Sequence, residues 1–278
     1  MSTSVTAITQ TTELNNGVRM PWLGLGVYKS QEGEQVEQAV SDALEAGYRS
    51  IDTAAAYGNE EGVGRAIAEC GINRNELFIT TKVWNSDQGY ESTLQAFEAS
   101  RRKLKLDVID LYLVHWPVVG KYKETYRALE KLYKDGHVRA IGVSNFLLPQ
   151  LNDLLAECEV KPMVNQVEFQ PFLTQPELQS YCLDNQIQLE AWSPLMQGNL
   201  DVALLKEIGL KYDKSPAQVV LRWDLQNGVV TIPKSVRKER IIENANIFNF
   251  ELTEAEVLAI NNLNEGRRYG SDPMTFNF

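Results

Sequence analysis

The sequence predicts an α/β chain of the (β/α)8 barrel class, and three observations carry that expectation. Short β-branched runs alternate with amphipathic helical stretches along the whole chain. Strict alternation means parallel strands joined by crossover helices. Counting Trp22–Leu25 there are eight such runs in 278 residues, the usual size of the closed barrel (roughly 250 residues); an open doubly wound sheet is the other architecture that alternates in this way.

The elements follow in order. Thr12–Met20 reads as two short strands around Asn15-Asn16-Gly17, a β-hairpin signal that resembles a lid outside the repeat. Trp22–Leu25 opens the repeat. In Glu34–Ala46 the apolar residues Val36, Val40, Ala43 and Leu44 recur at helical spacing, and Gly47 stands where a C-terminal cap belongs. The remaining strands are expected at Tyr48–Asp52, Leu77–Lys82, Val108–Val114, Val138–Ser144, Met163–Val167, Ile187–Trp192 and Val229–Ile232. Ser215-Pro216 opens a helix with an N-cap and a proline at its first position. Thr253 and Glu256 have the spacing of a capping box before Val257, Leu258 and Ile260, which adds a C-terminal helix to this TIM barrel. No Pro/Gly/Ser-rich linker or charge block interrupts the pattern, so residues 1–278 are expected to form a single domain.

Composition narrows the function. Hydrophobic residues at 44% and charged residues at 23% exclude a disordered or fibrous chain. A net charge of −10 argues against a nucleic-acid partner, which needs clustered Lys and Arg. No stretch approaches the ~20 apolar residues of a membrane span, and Met1–Gln10 lack both a basic and an apolar segment of a leader. Cys70, Cys158 and Cys182 fit no disulfide framework or CxxC motif. With two histidines the chain is poor in transition-metal ligands, and no metal is expected. A soluble cytoplasmic protein is the expectation.

The glycines do not make a nucleotide fingerprint. Gly24-Leu25-Gly26 meets Lys29 where a third glycine belongs, Gly62-Val63-Gly64 meets Ile67, and Gly120-Lys121 lacks the rest of a P-loop. These are turns or close-packing positions, and any nucleotide must be held by other means.

In a (β/α)8 barrel the chemistry sits at the C-terminal ends of the strands. Those positions read Asp52 (with Tyr57 beyond it), Lys82, His115, Ser144-Asn145, Gln166, Trp192 and Lys234. Each alone is an ordinary core or turn residue; together they gather Asp, Tyr, Lys and His at one mouth. A lysine ammonium beside a phenol favours phenolate and lowers the phenol's pKa from about 10. At ~4 Å and an effective dielectric near 20 that attraction is about 4 kcal/mol. Asp52 supplies the countercharge that keeps the lysine protonated, and His115 can donate a hydrogen bond to a carbonyl oxygen. The set is a proton donor for the oxyanion that forms when a carbonyl accepts hydride.

Five segments, in order, resemble the signatures of the aldo-keto reductases over nearly the whole chain: Asp52-Thr53-Ala54-Ala55-Ala56-Tyr57-Gly58-Asn59-Glu60, Lys82-Val83-Trp84, Leu113-Val114-His115-Trp116-Pro117, Gly142-Val143-Ser144-Asn145-Phe146 and Ile232-Pro233-Lys234-Ser235. The resemblance is strongest to the bacterial branch of 2,5-diketogluconate and glyoxal (methylglyoxal) reductases. It implies NADPH-dependent reduction of aldehydes and activated ketones by a monomer, with Asp52, Tyr57, Lys82 and His115 catalytic and Tyr57 the general acid. It implies that Ser144, Asn145 and Gln166 hold the nicotinamide carboxamide and that Trp192, where the family more often has tyrosine, stacks on the ring beside Ser193. Lys234, Ser235 and Arg240 would contact the 2′-phosphate, and Glu243 and Asn244 the adenine. Arg237 departs from the small residue common in the family. Tyr28, Trp84 and Trp116, with His115, would line the substrate pocket.

Two other classes share features of this sequence. A regulatory barrel that binds NADPH without useful turnover can keep the same four polar residues. A barrel hydrolase would need a carboxylate beside Asp52, for which Glu168 is the available residue. The brief Pro117–Tyr122 connection and the short Asn264–Phe278 tail predict a shallow, open pocket, with broad reduction of small aldehydes and α-dicarbonyls.

Overall fold

The computed structural model describes residues 4–276; Met1–Thr3 and Asn277–Phe278, the ends of the Met1–Gln10 segment and of the tail, lie outside the described residues. A two-stranded antiparallel hairpin, β1 (Thr11–Glu13) and β2 (Arg19–Pro21), precedes the barrel. The parallel strands are β3 (Gly24–Gly26), β4 (Ser50–Asp52), β5 (Phe78–Val83), β6 (Ile109–Val114), β7 (Val138–Ser144), β8 (Val164–Glu168), β9 (Gln188–Trp192) and β10 (Val230–Thr231), each bonded to the next in chain order. The two edges meet through bridges Leu23↔Thr231 and Gly26↔Lys234, so this is the closed barrel and not the open sheet. Strand boundaries differ from expectation by one or two residues. The first strand starts at Gly24 because Trp22 is used in closure, its carbonyl accepting the Thr231 N–H at 3.1 Å.

Helices α1 (Glu34–Glu45), α2 (Glu60–Glu69), α3 (Tyr90–Leu104), α4 (Tyr122–Lys134), α5 (Leu148–Leu155) and α6 (Pro176–Asp184) each follow one strand. The apolar stripe of α1 delivers Val36, Val40, Ala43 and Leu44 to the layer between helices and sheet, where all are buried. Gly64 marks a close approach of α2 to the end of α3: a Cβ there would lie 2.6 Å from the Lys103 carbonyl oxygen.

After β9 the repeat is embellished. A helix that the periodicity did not reveal, α7 (Ala203–Tyr212), comes before α8 (Pro216–Gln226). The Ser215 hydroxyl accepts the Gln218 N–H and the Gln218 side chain accepts the Ser215 N–H, which closes a capping box at the start of α8. After β10 come α9 (Lys238–Ala245) and the additional C-terminal helix α10 (Glu254–Asn261), opened by the expected Thr253/Glu256 box.

The hairpin is present, but at the opposite end from the site. Asn15 Nδ2 donates to the carbonyls of Pro162 and Gln186, just ahead of β8 and β9, and Asn16 Nδ2 to that of Arg139 in β7. These are the N-terminal strand ends. The hairpin therefore plugs the base, where Leu14, Met20 and Trp22 are buried, instead of covering the mouth. Among the described residues no helix is long and apolar enough to cross a membrane.

Candidate active site

Asp52 is the last residue of β4, and the 3-10 turn Ala55–Tyr57 that follows swings the Tyr57 phenol back over the strand ends. Gly58 closes this turn at φ +68, a conformation that suits glycine. Asn59 pins the loop: its amide donates to the Val27 and Ser30 carbonyls at 2.9 and 3.0 Å and its oxygen accepts the Thr53 hydroxyl at 2.7 Å. Lys82 reaches up from β5, wholly buried, and its Nζ lies 2.6 Å from Asp52 Oδ1, 2.9 Å from the Thr53 carbonyl and 3.4 Å from Tyr57 Oη. His115 follows β6, with ring centroids 5.7 Å from Tyr57 and 5.2 Å from Trp84. The four residues expected to act together do meet.

Their electrostatics correct one expectation. Burial pushes the Tyr57 phenol up to about 12, and Lys82 offsets only part of that shift while Asp52 adds to it. Lysine was expected to bring the phenol below its ordinary value; in a closed barrel, removal of water from the phenolate outweighs the neighbouring ammonium. Tyr57 is thus a fully protonated donor at neutral pH. Lys82 remains an ammonium: burial works against its charge, but Asp52, Tyr57 and the hydrogen bond to Asp52 displace it upward overall. Burial first, and Lys82 second, hold His115 well below its ordinary value, so the ring is neutral. Its buried Nδ1 has no hydrogen-bond partner among the described residues. A bare lone pair is tolerated there better than an orphaned N–H, which places the ring proton on Nε2.

One cavity of about 1550 Å³ is lined by Asp52, Tyr57 and His115, by Ser144, Asn145, Gln166, Trp192 and Ser193, and by Lys234, Ser235, Arg240, Glu243 and Asn244. Tyr28, Trp84 and Trp116 line it as well. Every site residue named from the sequence is there except Lys82, which stands behind Tyr57. A cavity of this size exceeds the roughly 300–1,000 Å³ of a small-ligand pocket and suits a long ligand together with a second, smaller one.

The residues expected around a carboxamide are knit together. Trp192 Nε1 donates to Asn145 Oδ1 at 2.9 Å, and Asn145 Nδ2 donates to the His115 carbonyl at 2.9 Å and to Ser144 Oγ at 3.1 Å. Gln166 Nε2 donates to Asp52 Oδ2 and to Glu190 Oε2, both at 2.8 Å. Glu190 was not expected. Its one sequence signal is parity, since it lies two residues before Trp192 and so faces the barrel interior with it.

The far arm of the cavity is cationic. Lys234, Arg237 and Arg240 border it at the start of α9, whose first N–H groups are available to an anion. Burial and the nearby Lys29 both push the Lys234 ammonium down. Among the described residues none of Lys29, Lys234, Arg237 and Arg240 has a carboxylate within ion-pair distance, whereas the adjoining Lys238 is paired with Asp42 and Glu45. Uncompensated like charges at a helix N-terminus fit a phosphate.

The mouth is walled more than the tail length suggested. Residues 265–276 return across it: Glu265 and Arg267 donate to the Phe172 carbonyl, Phe276 packs on Trp116 with centroids 4.4 Å apart, and Tyr269, Gly270, Ser271 and Phe276 line the cavity. Glu168 anchors this segment, accepting the N–H groups of Tyr269 and Gly270 at 2.7 and 3.1 Å. It is a strut for the tail, and Asp52 is paired with Lys82, so Glu168 does not form the carboxylate pair of a hydrolase with Asp52.

Comparison with known proteins agrees with this geometry. Residues 22–265 match the model of the aldo/keto reductase family. The chain is 61% identical over 269 residues to glyoxal reductase of Bacillus subtilis (strain 168), covering 96% of this chain and 98% of that protein. An aldo-keto reductase from a Medee basin deep-sea metagenome library has a similar structure, with a TM-score of 0.94 and 44% identity over 96% of this chain and all of that one. So does a Bombyx mori aldo-keto reductase in complex with NADP, with a TM-score of 0.88 and 38% identity over 93% and 94% of the two chains.

Proposed function

The chain belongs to the aldo/keto reductase family, and we propose that it reduces small aldehydes and α-dicarbonyls, and with them aryl aldehydes and keto-sugars, to alcohols with NADPH. The observation that carries this reading is the Tyr57–Lys82–Asp52 chain of contacts opening on the same cavity as the cationic start of α9. When bound, the cofactor supplies a hydride to the carbonyl carbon. His115 Nε2–H orients the carbonyl oxygen toward Tyr57. As negative charge grows on that oxygen the Tyr57 hydroxyl transfers its proton, and the Lys82 ammonium stabilises the phenolate left behind, with Asp52 holding Lys82 in place. Ser144, Asn145 and Gln166 fix the ring's carboxamide, and Trp192 with Ser193 covers the ring. Lys234, Ser235 and Arg240 hold the 2′-phosphate, and Glu243 and Asn244 the adenine. Tyr28, Trp84 and Trp116 surround the substrate. The enzyme is read as a cytoplasmic monomer whose partner is a small carbonyl compound.

The test is NADPH oxidation across methylglyoxal, glyoxal, nitrobenzaldehydes, keto-sugars, glucose and ketosteroids. Activated small carbonyls should have the highest kcat/KM. A steroid or a single sugar exceeding methylglyoxal a hundredfold overturns the substrate class, and tight NADPH binding without turnover on any of them favours the regulatory barrel.

A further inference from the structure

The reduction as derived leaves a buried acid beside Asp52 unused. Glu190 in β9 is fully buried and is paired in register with Gln166 in β8. The two amide hydrogens of Gln166 go to two acidic side chains, at Glu190 Oε2 and Asp52 Oδ2. Asp52, ionised beside Lys82, can take only the nitrogen of the amide, so the side chain has one orientation. Oε1 is the polar atom left over, and Gln166 lines the cavity. A primary amide gripped from behind in this manner offers an acceptor, the complement of a carboxamide NH2.

The charges do not balance. Two carboxylates and one ammonium share the interior, and Asp52 takes the ammonium. The charged groups facing Glu190 are Asp52 from β4 and Lys82 from β5. The adjacent strands bring the neutral Gln166 on one side and Val230 on the other. Glu190 Oε1 has no hydrogen-bond partner among the described residues.

We propose that Glu190 is a positioning residue for the nicotinamide, which locks Gln166 with its acceptor toward the carboxamide and exchanges its own proton with solvent according to the charge of the ring. This rests on the NADP(H) reading above. The reduced ring is neutral and leaves Glu190 protonated. The oxidised ring is a cation and favours the carboxylate, so the proton departs to solvent when NADP+ is bound. Burial, with Asp52 adding to it, pushes the Glu190 carboxyl up to about 8, with Gln166 and Lys82 acting in the other direction. Tyr57, Lys82 and His115 change charge outside the range from pH 6.5 to 9, on the directions given above.

The experiment measures dissociation constants of NADP+ and NADPH, without substrate, by quenching of tryptophan fluorescence between pH 6.5 and 9. The 2′-phosphate is common to both ligands and cancels in the ratio. Wild-type protein should favour NADP+ over NADPH increasingly as pH rises, by at least about fivefold across the range, the lower end of ordinary coupling. In Glu190→Gln the ratio should be flat. Hydride transfer from stereospecifically deuterated NADPH separates the positioning role: Glu190→Gln keeps an acceptor for Gln166 and stays stereospecific, while Glu190→Leu leaks to the second ring face. A residue needed only for stability would lower Tm and move neither readout. A flat ratio in the wild type, or an unchanged slope in Glu190→Gln, overturns the role of Glu190 alone; failure to bind either nucleotide overturns the cofactor reading with it.

Discussion

Lys82 links the carboxylate to the phenol, and its charge survives burial chiefly through Asp52, 2.6 Å away. Tyr57→Phe should lower kcat about 10²–10⁴-fold, the usual contribution of a general acid, with the NADPH Kd nearly unchanged; a variant retaining a tenth of wild-type kcat contradicts the assignment. Lys82→Met should be comparably slow and also less stable, by about 3–5 kcal/mol in urea unfolding, because it leaves Asp52 buried and unpaired. Glu190 yields a pH prediction. Its folded pKa is raised to about 8 from an unfolded value near 4.3, so its contribution to stability is full below that unfolded value and is lost as pH rises to about 8. Glu190→Gln, which mimics the protonated acid, should match wild-type Tm near pH 4 and exceed it progressively up to pH 8. Asp52, Tyr57, Lys82 and His115, which the structure brings together, were legible in the sequence because each lies at or just beyond the end of a strand. Glu190 was not, since strand parity shows which side chains point inward but not which of them meet across a barrel.

At the scale of elements, alternation and capping chemistry carried the reading. Thr253 with Glu256 and Ser215 with Pro216 mark helix starts that the structure reproduces, because a cap is a local hydrogen bond written within four residues. The placement of β1 and β2 was not local. Asn15-Asn16-Gly17 announces a turn, but the bonds from Asn15 to Pro162 and Gln186 span over a hundred residues, and nothing in the hairpin itself says which end of the barrel it closes. For α9 the prediction concerns cofactor choice. Lys234→Gly with Arg240→Ala should remove most of a preference for NADPH over NADH, since charge-assisted bonds contribute roughly 1.5–3 kcal/mol each; equal KM values for the two cofactors in the wild type would remove the assignment.

Considered as a whole, the molecule joins its last segment to its active site. The short tail was expected to leave the pocket shallow and open because a sequence shows its length, whereas its course depends on Glu168 and the Phe172 carbonyl, which are distant in the chain. Gly270 shows how tight that return is: a Cβ there would sit 2.3 Å from the Trp192 ring. Gly270→Ala should displace the indole from Asn145, alter tryptophan fluorescence and weaken both NADPH and carbonyl binding several-fold, with Tm little changed. The opposed placement of the hairpin and of Phe276 also bears on how the protein can be handled. A partner domain fused ahead of the hairpin would hang from the base of the barrel, away from the traffic of substrate and product, and kcat/KM should be unaltered. The same domain fused after Phe278 is tethered a few residues beyond the Phe276 ring that packs on Trp116 at the cavity mouth, and should raise KM for bulky aldehydes more than for methylglyoxal.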